Sequence, residues 1–146
     1  MATVDIIIGT VYGSAVLVAE TLEEALVKAG HSVTLHEDAE LDELDQSHFW
    51  LFVTSTTGQG DIPPNLVSLV EALRETCPPI PEVRYALVAL GDSSYDDFCG
   101  AGRQLDEQLQ ELQAQSVTAR LQVDATETLE PEVPALEWLK GWIEKI

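Results

Sequence analysis

A chain of 146 residues with 45% apolar side chains has room for one domain, and folding at that size removes roughly 70% of the unfolded chain's surface from water. Its 26 Asp and Glu against 7 Lys and Arg give a formal net charge of −19, which argues against nucleic acid or an anionic membrane as a partner. The apolar runs are too short to span a bilayer, and no signal-peptide pattern opens the chain. Cys77 and Cys99 form neither a disulfide framework nor a zinc-ligand cluster, so a cytoplasmic protein without a structural metal is expected.

Apolar runs alternate with helical patterns along the chain, as in βαβ units that build a mostly parallel sheet covered on both faces. Val4–Ile8 reads as the first strand. Ala15–Ala29 then places Ala15, Val18, Ala19, Leu22, Ala25, Leu26 and Ala29 at helical spacing, and Gly30 follows as the C′ residue. Ser32–Leu35 is the second strand, and the acidic stretch Glu37–Ser47 is a loop or a single helical turn before the third strand, Phe49–Thr54. Asn65 caps a helix running to about Thr76, with Leu66, Leu69, Val70 and Leu73 on one face and Pro78-Pro79 beyond its end. Tyr85–Leu90 is the fourth strand, a helix runs from Gly102 to Ala114, Ala119–Val123 is the fifth strand, and a last helix runs from Pro134 to Lys145. Strands one, three and four are nearly continuous apolar runs, which suits the centre of a sheet buried on both faces.

In such a sheet, ligands bind beyond the carboxyl ends of the strands, where the strand order reverses. The segment after strand one, Gly9-Thr10-Val11-Tyr12-Gly13-Ser14-Ala15, leads directly into a helix. A helix N-terminus offers unpaired N–H groups and the positive end of a dipole, and Thr10 and Ser14 add hydroxyls, so this loop suits a phosphate. An ordinary Ser/Thr helix cap is the plainer reading. No Lys follows the glycine turn, which excludes a Walker-type loop, and no G-x-G-x-x-G stands there, which excludes the dinucleotide fingerprint. A single phosphate held by uncharged donors remains. After strand three, Ser55-Thr56-Thr57-Gly58-Gln59-Gly60-Asp61 combines polar side chains with two glycines that permit close backbone approach to a flat ligand. After strand four, Leu90-Gly91-Asp92-Ser93-Ser94-Tyr95-Asp96-Asp97-Phe98-Cys99-Gly100 sets an aromatic among Ser and Asp, suited to stacking on a planar ring.

Taken together, these three segments resemble the phosphate loop and the two flavin loops of the flavodoxin family, small FMN-binding electron carriers, and the resemblance covers the whole chain. It implies a doubly wound five-stranded parallel sheet in the order 2-1-3-4-5 with helices on both faces. Flavodoxin is itself the standard instance of that order with FMN at the switch point. It also implies a cofactor site drawn from Thr10, Val11, Tyr12, Gly13, Ser14, Ala15, Ser55, Thr56, Thr57, Gly58, Leu90, Gly91, Asp92, Tyr95, Phe98 and Cys99. Within that set, Thr10, Tyr12, Gly13, Ser14 and Ala15 surround the phosphate, Ser55 adds a hydroxyl, and Thr56 lies near the ribityl chain. By the same resemblance, Tyr95 would stack on the outer face of the isoalloxazine, backbone groups of Asp92 and Cys99 would meet its pyrimidine edge, and the Gly58 carbonyl would turn toward N5 of the reduced flavin. Two positions depart from the family pattern. Ala15 stands where Thr is common, removing one hydroxyl, and Thr57 stands where many members carry Trp, leaving the inner flavin face more open. The fifth strand runs without the long insertion of larger flavodoxins, as in the short-chain type.

Other occupants of this architecture fit less well. A receiver domain needs acidic residues after strand one, Asp ending strand three and Lys ending strand five, where this chain has Gly9-Thr10, Thr54-Ser55 and Asp124. A low-molecular-weight phosphatase needs a Cys and an Arg about the first loop, which holds neither. A flavin enzyme that reduces a small substrate such as a quinone is the alternative to a carrier, but one domain of this size has little room for a nicotinamide site. An FMN-free interaction module is the remaining reading, set apart by the colour of the purified protein. The carrier reading implies a monomer with no catalytic residues, loaded by a basic flavodoxin or ferredoxin reductase and emptied by an acceptor enzyme. Asp61, Asp92, Asp96 and Asp97 then place negative charge near the flavin, disfavouring its anionic, fully reduced form.

Overall fold

The computed structural model describes residues 2–10, 13–56, 61–76, 78–94 and 98–146. The alternation read from the sequence becomes strands β1 (Thr3–Gly9), β2 (Ser32–His36), β3 (Phe49–Thr54), β4 (Arg84–Gly91), β5 (Gln115–Ser116) and β6 (Leu121–Asp124). The helices are α1 (Ser14–Lys28), α2 (Pro64–Thr76), α3 (Gly100–Glu111) and α4 (Glu132–Lys140). All described pairings are parallel, in the order β2-β1-β3-β4-β5, with β6 also pairing β4. This is the expected 2-1-3-4-5 arrangement, with β5 and β6 sharing the fifth position.

Every residue of β3 is buried, because both of its faces are covered. On one face Val4, Ile6 and Ile8 of β1 join Leu51 and Val53 of β3 beneath Val18, Leu22 and Leu26 of α1 and Ala135 and Leu139 of α4. On the other, Ile7, Trp50 and Phe52 pack with Leu66, Leu69 and Leu73 of α2 and Leu105 and Leu109 of α3. Period-2 alternation in the strands thus sorts one sheet into two cores. One polar side chain breaks the apolar run of β1: the buried Asp5 carboxylate bridges His36 Nε2 and His48 Nδ1, each at 3.0 Å, beneath the β2–β3 connection. That connection contains the single helical turn foreseen in its acidic stretch, a 3-10 turn at Leu41–Glu43.

Three sequence expectations are corrected. The fifth strand is not a straight run from Ala119. Gln115–Ser116 pairs with the start of β4 and Leu121–Asp124 with its end, and the chain leaves the ladder between them. There Arg120 Nη1 turns inward to the buried Asp106 carboxylate at 2.7 Å, and the Ala119 carbonyl accepts from Trp138 Nε1 at 3.2 Å. The last helix stops at Lys140 rather than Lys145. Gly141 follows, and Trp142 folds back to stack on Phe49 with ring centroids 5.2 Å apart before a separate 3-10 turn at Ile143–Lys145. Finally, Asn65 is not the cap of α2. Pro64 takes the first helical position, where a missing N–H is harmless, so Asn65 stands second and its side chain is directed elsewhere.

Candidate functional site

Parallel pairing brings the predicted loops to one edge. Gly9 lies opposite Thr54, Thr54 opposite Ala89, and Gly91 opposite Asp124, so the chain leaves β1, β3, β4 and β6 side by side. The approach is close: a Cβ on Gly9 would stand 2.8 Å from Thr54 Oγ1 and 2.9 Å from Leu66 Cδ2. At the next exit, a Cβ on Gly91 would stand 2.8 Å from Cys99 Sγ.

The first loop is organised by α2 and by its own Thr10. The Thr10 N–H donates to Asn65 Oδ1 at 2.9 Å, and Thr10 Oγ1 accepts from the Gly13 N–H at 2.9 Å. Two of the backbone donors expected for a phosphate are therefore already engaged, one by Asn65 of α2 and one within the loop. Because Thr10 accepts through oxygen, its hydroxyl proton stays available to an anion. Gly13, with φ of 89°, is the N-cap of α1, which carries no side-chain cap and no acidic residue in its first turn. The plain Ser/Thr cap is thus not what the loop builds. Ser14 is exposed, while the Ala15 methyl is wholly buried in the core, so Ala15 can offer a ligand only its backbone. With the helix dipole behind them, these groups have the chemistry to hold an anion without a cationic side chain.

The second loop begins with Ser55, whose N–H and Oγ both donate to the Gly9 carbonyl, at 2.8 and 3.2 Å, tying the ends of β1 and β3 together. Beside it the Thr56 Oγ1 is buried and has no hydrogen-bond partner among the described residues. A buried hydroxyl left unpaired is costly, and its place beyond the strand ends fits the oxygen-rich polyol chain and phosphate of FMN.

The third loop is fixed from the sheet edge. Asp124 Oδ1 accepts from the N–H groups of Ser93 (3.1 Å) and Thr126 (2.9 Å) and from the Thr126 hydroxyl (2.8 Å), while the Ala125 N–H donates to the Gly91 carbonyl. The Ser93 hydroxyl, then the bonds from Thr126 and the Ser93 backbone, hold the Asp124 carboxyl down at about 2. Asp92 Oδ1 accepts from the Ser94 N–H at 2.8 Å, forming a tight turn. Leu90 belongs to the core, Phe98 is half-buried against it, and Cys99 is fully buried at the N-cap of α3 with φ of 55°. Burial, with Asp124 nearby, pushes the Cys99 thiol up to about 11, so it is a packing residue rather than a reactive one.

Thus Thr10, Gly13, Ser14, Ala15, Ser55, Thr56, Leu90, Gly91, Asp92, Phe98 and Cys99 all lie at or just beyond this edge. Val11, Tyr12, Thr57, Gly58 and Tyr95, and with them Asp96 and Asp97, lie outside the described residues. The sequence reading placed Asn65 and Asp124 but missed their roles in organising the site. Pro64 ahead of Asn65 was the available signal for the first, since a proline at the start of a helix moves the cap one residue earlier. A separate cavity of about 380 Å³, lined by Asp106, Gln110, Arg120 and Gln122, opens at the break in the edge strand rather than at the strand ends. Among the described residues no cluster suited to a metal ion occurs.

The flavodoxin family model matches residues 6–138, which includes all three loops. The chain belongs to the flavodoxin family. Flavodoxin YqcA of Pectobacterium carotovorum subsp. carotovorum is 47% identical over all of this chain and 98% of its own. Flavodoxin YqcA of Escherichia coli (strain K12) is 44% identical over 97% of each. The solved C101A mutant of flavodoxin from Pseudomonas aeruginosa superposes with a TM-score of 0.90 at 39% identity, covering 97% of both chains. As a flavodoxin, the chain carries the α/β architecture of an electron-transfer flavoprotein, and among its described residues no helix is long and apolar enough to cross a membrane.

Proposed function

We propose that this flavodoxin binds a single FMN and carries electrons, as a soluble cytoplasmic monomer, from a basic reductase to an acceptor enzyme. The observation that carries the reading is the uncapped N-terminus of α1 behind the Gly9–Ala15 loop, with the unpartnered Thr56 hydroxyl beside it. Bound there, FMN supplies the redox chemistry. The protein binds its phosphate through Ser14 and the hydroxyl of Thr10, meets the polyol chain at Thr56, and orients the ring against the loop that Asp124 fixes. By family resemblance, Tyr95 and Thr57 would cover the two ring faces and Gly58 would face N5.

The partner reading rests on charge. At −19 the chain attracts a basic surface from a distance, and this attraction raises the encounter rate without any particular contact. Stopped-flow transfer from a ferredoxin-type reductase to the FMN-loaded protein tests it. The second-order rate should fall steeply as the Debye length contracts from ~30 Å at 0.01 M salt to ~8 Å at 0.15 M. A rate indifferent to salt would remove the electrostatic partner from the proposal while leaving the cofactor in place.

A further inference from the structure

Asn65 is the residue whose side chain joins the most separate parts of this edge. Its Oδ1 accepts from the Thr10 N–H at 2.9 Å, and its Nδ2 donates to the Ile8 carbonyl at 3.0 Å and to the Glu37 carbonyl. One carboxamide thus binds the end of β1, the exit of β2 and the first residue of the loop beyond β1. It does so from the first turn of a helix held in place by Leu66 and Leu69 in the core. The same helix grips the β2–β3 connection a second time through Ser68, whose hydroxyl donates at 2.8 Å to the carboxylate of Glu40, the N-cap of the 3-10 turn.

We infer that Asn65 is a positioning residue for the cofactor's phosphate: it sets where the Thr10–Gly13 turn stands relative to the start of α1. The chemistry suits an amide here. Thr10 presents a donor while Ile8 and Glu37 present two acceptors, and a carboxamide answers all three with one acceptor oxygen and two N–H donors, where a hydroxyl or a neutral imidazole has a single donor. Holding the Thr10 N–H also turns that amide away from the ligand. The Thr10 side chain is then placed to accept from Gly13 and to offer its remaining proton outward. Because Thr10, Gly13 and Ser14 follow one another closely, a loop released at Thr10 loses the alignment of several phosphate donors together. By the family resemblance the cofactor's ring would be held by the loops after β3 and β4, away from Asn65.

This inference rests on the FMN reading above and makes a prediction that separates the two. FMN and riboflavin differ only in the phosphate, so each is titrated by flavin fluorescence quenching against the apoprotein and against Asn65→Ala. In the native protein FMN should bind more tightly than riboflavin; equal affinities there would overturn the FMN reading itself. In Asn65→Ala, FMN affinity should fall about tenfold, as for loss of a positioned hydrogen-bond network, with riboflavin affinity unchanged. Equal losses for both ligands, or loss for neither, would overturn the positioning role while leaving the FMN reading standing. If Asn65→Ala does not fold, Asn65→Ser is read against the same two ligands. Failure of that milder variant to fold would also overturn the inference, since Asn65 would then serve the fold and not the loop.

Discussion

At the scale of single residues, the site depends on a few groups with no substitute. Gly13 is the plainest case: a Cβ there would touch nothing within 4 Å, yet its φ of 89° is one that side-chain-bearing residues adopt reluctantly. Space is available and conformation is not. Gly13→Ala should therefore destabilise the native loop by about 1–2 kcal/mol through backbone strain alone, and Gly13→Asn by less, because Asn tolerates the left-handed region. Equilibrium unfolding of the two variants checks this order; a harmless Gly13→Ala would mean that the loop can be rebuilt with negative φ. Asn65 teaches the complementary lesson. Its identity as a polar residue near a helix start was legible, but its role was not, because a carboxamide that bonds across 55 residues of sequence leaves no local pattern. The glycine turn and the hydroxyls of Thr10 and Ser14 were legible because their chemistry is local.

At the scale of elements, strands and helices were readable wherever burial imposed a period. β3 matches its predicted bounds because both faces are covered, and α1 differs by one residue at each end. The edge of the sheet was harder to read. Arg120 inside an apparent strand signals a break only once Asp106 is known to lie buried beside it, and that pairing is a tertiary fact. α3 approaches β4 so closely that a Cβ on Gly102 would stand 2.4 Å from the Ala89 Cβ. Gly102→Ala should thus lower stability despite the better helix propensity of Ala, since overpacking of this kind costs about 1–3 kcal/mol. A higher thermal midpoint for that variant would show that helix and strand can separate freely. β6 acts on the third loop through Asp124, whose carboxyl lies well below its ordinary value of 3.8. A depressed carboxyl stabilises the fold above its unfolded value and loses that contribution as pH falls toward its folded value. Acid unfolding between about pH 4 and pH 2 should therefore be less steep in Asp124→Asn than in the native protein, as read by far-UV circular dichroism. Identical acid profiles would mean that Asp124 does not hold the loop.

At the scale of the whole molecule, two properties combine: a sheet whose strand ends gather the loops, and a surface of strong negative charge. The fold was legible because alternation of apolar runs with helical patterns admits few arrangements, and right-handed crossovers reduce them further. The charge was legible by counting, but how it is shared over the surface around Asp92 and Asp124 depends on how the chain closes. An anion bound by a protein of net charge −19 must be held against that field by local donors alone. On the proposed reading, the phosphate would be held by N–H and hydroxyl groups at the start of α1 and would add affinity that no cationic side chain supplies.

The most direct measurement of that claim is the affinity of the apoprotein for FMN and for riboflavin, titrated side by side at low and at moderate salt. FMN should bind with about one equivalent per chain and more tightly than riboflavin at both. The margin should widen as salt screens the repulsion between the phosphate and the acidic surface. Riboflavin binding as tightly as FMN at both salt concentrations would show that the Gly9–Ala15 loop holds no phosphate.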